Sequence, residues 1–158
     1  MTDTLLLLKL IHVLGAAVLF GTGAGIAFFM LMAHRTRDPA TIAATARIVV
    51  IADALFTAGA VIVQPISGLL LAWTIGYPVT ESWIVAALAL YVIVGLCWLP
   101  VVGIQIRLRD LAAAAARTHT PLPDDYDRLF RIWFALGWPA FSGVIAIFAL
   151  MIWKPRLW

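Results

Sequence analysis

The chain has 158 residues, of which 64% are hydrophobic and 12% are charged, and its net charge is +3. Soluble domains are about 45–50% apolar and about 25% charged, and a soluble domain of this size could not bury so much apolar surface. The composition therefore excludes a soluble globular domain and an acidic disordered chain. The single cysteine excludes an internal disulfide framework. We expect an all-α integral membrane protein.

Four apolar segments are each long enough to cross a bilayer with some tilt. They cover residues 5–32, 48–75, 83–106 and 132–153. The first segment is far longer than the hydrophobic region of a signal peptide and no basic segment precedes it, which favours a membrane span. The sequence therefore predicts an up-down four-helix bundle that forms one transmembrane domain over residues 1–158.

Two of the connections predict that the helices extend beyond the apolar segments. Asp38-Pro39 is typical of an N-cap followed by proline in the first turn, and it would start the second helix well before residue 48. Thr118–Pro123 would break the third helix, and Asp124 would cap the fourth. These connections and the adjacent helix ends carry eight arginines, against three basic residues elsewhere. The positive-inside rule then places them in the cytoplasm as a collar, with both termini outside the cytoplasm of a bacterial inner membrane.

Ionisable residues inside the apolar segments are the first candidates for function, because charges at membrane depth are costly and often functional. His12 lies in the first segment, where it could ligate haem iron, relay a proton, or link two helices through hydrogen bonds. Asp53 lies near the inner end of the second segment. We expect it to form an interhelical ion pair with Arg107 or Arg131, and proton entry is the alternative.

Other polar and small residues could complete a pocket around the histidine. Pro65 removes a backbone hydrogen bond, and Gln64 beside it could satisfy the freed carbonyl or face a ligand. Gly21 and Gly25 form a small-xxx-small pair that suits close helix packing, and a flat porphyrin could use the same face. By depth, four polar residues could converge in the outer half of the membrane, depending on helix rotation: His12, Gln64, Tyr91 and Lys154.

Several classes of site and partner are not predicted. The three histidines lack the spacing of a structural zinc site. A two-haem electron-transfer cytochrome needs about four axial ligands inside the membrane, and only one histidine lies there. The arginines form no basic stripe with interleaved aromatics, so nucleic acid is not expected as a partner. The predicted partners are the lipid bilayer and, as an alternative to a monomer, further copies of the chain in a homo-oligomer.

Distinctive residues occur at the two ends of the chain. The first helix opens with Leu8–Gly15 and continues through a glycine-rich span to His34-Arg35. The last helix contains Phe130-Arg131, Gly137-Trp138-Pro139 and Trp153-Lys154-Pro155. These segments resemble a family of uncharacterised bacterial integral membrane proteins with four predicted helices and a domain of unknown function.

The same two ends are more distantly similar to the HemJ-type protoporphyrinogen oxidases. These are small bacterial membrane proteins of haem biosynthesis that bind b-type haem. By position, His12 would match an important histidine in their first helix, and Lys154-Pro155 would match the pair that ends their last helix. That family has an Asn-Glu-x-Pro pattern where this chain has Ala135–Pro139. The resemblance implies that the chain binds haem b. The chain differs from this family at the Asn-Glu-x-Pro motif.

The sequence therefore predicts two alternative functions. The first is a haem-binding protein with a redox or porphyrin-linked role. In it, His12 is an axial ligand of the haem iron, Lys154 is a second ligand or a propionate partner, and the face with Gly21 and Gly25 admits the ring. The second is a non-enzymatic bundle that acts as an oligomeric assembly partner or a small permeation module. Whether the protein is an enzyme is left open.

Overall fold

Four long helices make up nearly all of the chain in a computed structural model, which describes residues 2–158, with side chains from Asp3 onward. Each helix contains one of the predicted apolar segments, and all four are long and apolar enough to cross a membrane. No strand occurs between residues 2 and 158. The predicted all-α membrane fold is confirmed. The helices are α1 (Thr2–Thr36), α2 (Pro39–Ile75), α3 (Ser82–Thr118) and α4 (Asp124–Trp153).

The connection between α1 and α2 has the predicted cap. The carboxylate of Asp38 accepts hydrogen bonds from the backbone amides of Ala40 and Thr41, and Pro39 is the first helical residue. Hydrogen bonds from the hydroxyl and the amide of Thr41 hold the pKa of Asp38 below its ordinary value. The start of α2 at residue 39 is therefore fixed locally, as the sequence indicated.

The start of α4 differs from the prediction. Pro123, in an extended conformation, is the N-cap, and Asp124 is the first helical residue. The expectation that Asp124 caps the helix is wrong, because proline already occupies the cap position and no side-chain cap bond forms. Three carboxylates lie in the first turn, where their negative charges interact favourably with the positive end of the helix dipole: Asp124, Asp125 and Asp127.

The short connection before α2 is also tied to α4. Arg37 has φ 56°, a left-handed conformation that reverses the chain within two residues. Its guanidinium donates to both oxygens of Asp127, at 2.6 and 2.9 Å. This hydrogen bonding raises the pKa of Arg37. Both side chains are partly exposed, so the pair stabilises the fold by at most about 1 kcal/mol.

The tightest packing lies at one end of the bundle, near the connections 37–38 and 119–123, which we call the loop end. Every helix contributes to one apolar cluster there, and Met30, Ile42, Leu108 and Tyr126 are fully buried. The ring of His34 stacks on Phe130 with 3.7 Å between centroids. At the opposite end, which carries both chain ends and which we call the termini end, a smaller cluster forms: Ala72, Trp83 and Ile84.

A π-helical turn, Asp53–Thr57, interrupts α2 and is the main irregularity of the fold. The amide of Ala58 donates to the carbonyl of Asp53, five residues back. The first half of α2, Pro39–Ala52, packs mainly on α3, whereas the second half, Ala58–Ile75, packs mainly on α1. Such π turns inside α-helices are frequent at functional positions, so the residues beside this turn are candidates for function.

Candidate functional site

The candidate ligand histidine lies between α1 and the second half of α2. His12 Nδ1 is 2.9 Å from the hydroxyl oxygen of Ser67. That hydroxyl donates to backbone carbonyl oxygens of its own helix, Val63 at 2.8 Å and Gln64 at 3.2 Å. With its single proton used there, Ser67 is the acceptor for His12, and on this basis we assign the imidazole proton to Nδ1. The lone pair of Nε2 is left free to bind a metal or a proton.

Small residues let α1 and α2 approach closely around this histidine. His12 Cε1 lies 3.0 Å from where a Cβ on Gly68 would be placed, and Gln64 Oε1 lies 2.7 Å from the same position on Gly15. With its amide oriented to satisfy both ends, Gln64 donates to the carbonyl of His12 at 2.9 Å and accepts from the amide of Ala16 at 3.2 Å. The structure thus brings His12 and Gln64 together, as their depth suggested.

Tyr91 reaches α2 at a different point. Its hydroxyl donates to the carbonyl oxygen of Val61. Pro65 has no amide proton, so this is the carbonyl that lacks its helical donor. Of the two roles considered for Gln64, satisfying this carbonyl is wrong, because the Gln64 amide is directed at α1. Tyr91 therefore serves as a helix-to-helix hydrogen bond rather than as a neighbour of the imidazole.

Lys154 belongs to an aromatic group at the termini end. It follows the last residue of α4 with φ 44°, and its Nζ lies 4.7 Å from the ring centroid of Tyr77 and 5.5 Å from that of Trp83. Nζ is also 3.4 Å from the Tyr77 hydroxyl. A cation over two aromatic faces is stabilised where it is. Among the described residues, none of its hydrogen bonds or cation–π contacts joins it to His12.

The glycine pair of α1 does not mark a close contact within the chain. No heavy atom outside the local backbone lies within 4 Å of a Cβ placed on Gly21, and Gly25 meets only Phe29 of its own helix at 3.9 Å. The expected close packing at this pair is wrong for a single chain. Among the glycines, the tightest approach is at Gly143 of α4, where Val94 Cγ2 lies 2.6 Å from the position of a Cβ.

A second polar group surrounds the π turn, and most of its members were not predicted. Asp53 is 4% exposed, and its Oδ1 accepts from Trp98 Nε1 at 3.2 Å. With its amide suitably oriented, Gln105 donates to Asp53 Oδ2 and accepts from Trp133 Nε1, both at 3.2 Å. Gln105, next to the basic end of the third apolar segment, was the one sequence signal that could have found this network.

The predicted ion pair of Asp53 is therefore wrong. Across residues 3–158, the salt bridges join other residues, and Arg107 and Arg131 are exposed. Arginine side chains at the end of an apolar segment can extend away from it into the polar region. The indole of Trp98 and the amide of Gln105 instead lie between the helices, next to Asp53. The carboxylate is left with neutral donors only.

The fold and these buried polar groups define the class of the protein, which is an integral membrane protein with four spanning helices. Its family follows from sequence comparison. The model described as "Predicted integral membrane protein (DUF2269)" matches residues 6–155, nearly the whole chain, so the chain belongs to that family. Searches of curated proteins and of solved structures found no match. Membership confirms the expected family and the lipid bilayer as the environment.

Proposed function

We propose that this family member binds haem b through His12, in a redox or porphyrin-linked role. The observation that supports the proposal is the bonding of the imidazole. Nδ1 lies 2.9 Å from the Ser67 hydroxyl, and the tautomer that we assign from the bonds of this hydroxyl leaves Nε2 unprotonated. Histidines that ligate metals generally donate their other ring N–H to a neighbouring acceptor, which fixes the tautomer and the ring orientation.

The residues present fit one axial ligand and not the wider pocket expected from the sequence. Gln64 holds the backbone beside His12, Tyr91 bonds to Val61, and Lys154 lies with Tyr77. The proposal therefore assigns the iron to His12 alone and leaves Lys154, Gly21 and Gly25 out of the site. Bound haem would supply one-electron chemistry, and the chain would supply the ligand, its orientation and an apolar surrounding.

A visible spectrum of the detergent-purified protein tests this proposal. We expect a Soret band at a near-stoichiometric haem-to-protein ratio, with a shift on dithionite reduction. His12→Ala should abolish the band, whereas His119→Ala, which changes an exposed histidine outside the spans, should leave it intact. Ser67→Ala should keep the band but shift the reduction potential, because it removes the acceptor for Nδ1. A protein that stays colourless after haem reconstitution, or an unchanged band in His12→Ala, would refute the assignment.

A non-enzymatic bundle that assembles with further copies of itself is the second candidate. The exposed position of Gly21 favours it, because a glycine that no helix of the same chain approaches is available to a neighbouring chain. In that case His12 would only pack against Gly68 and would bind no metal. The same spectrum separates the two candidates, since only the first requires a chromophore.

A further inference from the structure

Asp53 is a buried acid without a counter-charge among the described residues. Both hydrogen bonds to its carboxylate come from neutral groups, the indole of Trp98 and the amide of Gln105. Buried charges in proteins are ordinarily paired, and an acid at membrane depth is expensive unless it serves a purpose. Each carboxylate oxygen has a further lone pair, so the carboxylate can still accept a positively charged partner.

A lateral groove of about 240 Å³ between α2 and α3 leads to this carboxylate. Its walls are apolar, and Asp53 and Gln105 are its two polar residues. Exposed residues of both helices, Ala54 and Ile106, lie at its rim, so it opens on the face that meets the bilayer. The remaining lining residues are Val50, Ala58, Trp98 and Val102.

The chemistry of the groove selects its ligand. A carboxylate without a counter-ion favours a cation, and the face of an indole such as Trp98 also attracts one. A metal ion fits poorly, because hard cations need several oxygen ligands, and residues 3–158 contain no cluster of three His, Cys, Asp or Glu side chains. Apolar walls that open toward lipid fit a ligand with an apolar body.

We propose that this groove binds an organic cation with an apolar body, an aromatic or alkyl ammonium, whose charge pairs with Asp53. Asp53 and Ser67 are fourteen positions apart on α2, about 21 Å along the helix, so the groove is separate from His12. The cation enters from the bilayer between α2 and α3. Trp98 contacts it while donating to the carboxylate, and Gln105, held by Trp133, orients the other carboxylate oxygen.

Binding of benzyltrimethylammonium to the full chain in phosphatidylcholine nanodiscs tests the proposal by isothermal titration calorimetry. Its charge does not vary with pH, and neopentylbenzene is its neutral carbon isostere. We expect saturable binding at one site per chain and at least about tenfold weaker binding in Asp53→Asn. Asp110→Asn removes the same charge from an exposed position and should bind as the wild type does. The neutral isostere should not distinguish wild type from Asp53→Asn.

A second variant keeps the test informative if Asp53→Asn folds poorly. Ala58→Leu fills the groove and leaves the carboxylate in place, so it should also lose binding. His12→Ala should bind benzyltrimethylammonium normally, so failure of the haem proposal leaves this one intact. Equal affinity in wild type and Asp53→Asn, unchanged affinity in Ala58→Leu, or no saturable binding to wild type would each overturn the proposal.

Discussion

A single side chain, Tyr91, supplies the backbone hydrogen bond that Pro65 removes from α2. Pro65 leaves the carbonyl of Val61 without its helical donor, and the hydroxyl of Tyr91 on α3 takes its place. In the hydrocarbon of a bilayer no water can satisfy such a group, so the donor has to come from the protein. The second half of α2 makes few other close backbone approaches to α3, which makes this bond one of the main links between them.

Replacing Tyr91 with phenylalanine should therefore destabilise the protein. We expect Tyr91→Phe to lower the free energy of unfolding by about 1–2 kcal/mol, because it leaves the Val61 carbonyl unsatisfied. The background Pro65→Ala restores the missing amide, and the same change should cost much less there. Unfolding of the four variants in lipid bicelles gives the coupling energy. Equal losses in both backgrounds would show that the bond does not serve the proline defect.

At the residue scale, the sequence predicted positions better than partners. Depth along an apolar segment follows from counting residues, so His12 and Gln64 were correctly expected at one level. The partners of Asp53 were only partly predictable: Gln105 is a polar residue near the basic end of an apolar segment, but Trp98 lies among apolar residues with no local pattern to mark it. The rotation of α2 relative to α3 decides which of these side chains faces the carboxylate, and the sequence does not encode that rotation locally.

At the scale of elements, the glycines show that the spacing of residues along a helix does not reveal which face of that helix packs on another. Gly21 and Gly25 have the sequence spacing of a packing motif, and no other helix of the chain approaches them within 4 Å. Gly143, which has no glycine partner four residues away, has Val94 of α3 packed 2.6 Å from where its Cβ would be placed. The limits of the helices were easier to predict, because caps such as Asp38 act within a few residues of chain.

The contact at Gly143 can be tested against Gly21 as a matched control. Gly143→Ala places a methyl group 2.6 Å from Val94 Cγ2, and a β-branched valine has little freedom to turn away. We expect a loss of about 1–3 kcal/mol in unfolding free energy, recovered in part by adding Val94→Ala. Gly21→Ala has open space and should cause no loss. Thermal unfolding in detergent ranks the variants, and equal stability of the two single variants would contradict this packing.

At the scale of the whole molecule, the bundle is dense at the loop end and more open toward the termini end. The cluster around Met30 and Tyr126 joins all four helices. Toward the termini end, the contacts are fewer: α1 meets α2 at Gly68, α3 meets α4 at Gly143, and a small cluster around Trp83 joins α2 to α3. His12 thus lies in the less dense part of the bundle, whereas the groove at Asp53 adjoins the dense cluster at Val49 and Val101.

The charge asymmetry of the molecule predicts its orientation. Eight arginines lie at or near the loop end, so we expect that end in the cytoplasm. In a Cys97→Ser background expressed in bacteria, Thr80→Cys should react with a membrane-impermeant maleimide on intact spheroplasts. His119→Cys should react only after the membrane is permeabilised. Both positions are exposed, so a reversed labelling pattern would reverse the assignment rather than reflect burial.

The π turn in α2 also lets this helix hold one residue more than its neighbours' contacts require. One residue of an α-helix corresponds to about 100° of rotation, and a π turn contains one more residue than an α-helical path between the same ends. Removing one of residues 54–57 would therefore give an ordinary α-helix and leave Ser67 and Gln64 directed at α1. An α-helix that kept every residue would instead turn both side chains by more than a quarter of a circle away from α1. The angular phase between the two halves of α2 thus depends on the wider turn, which absorbs the additional residue.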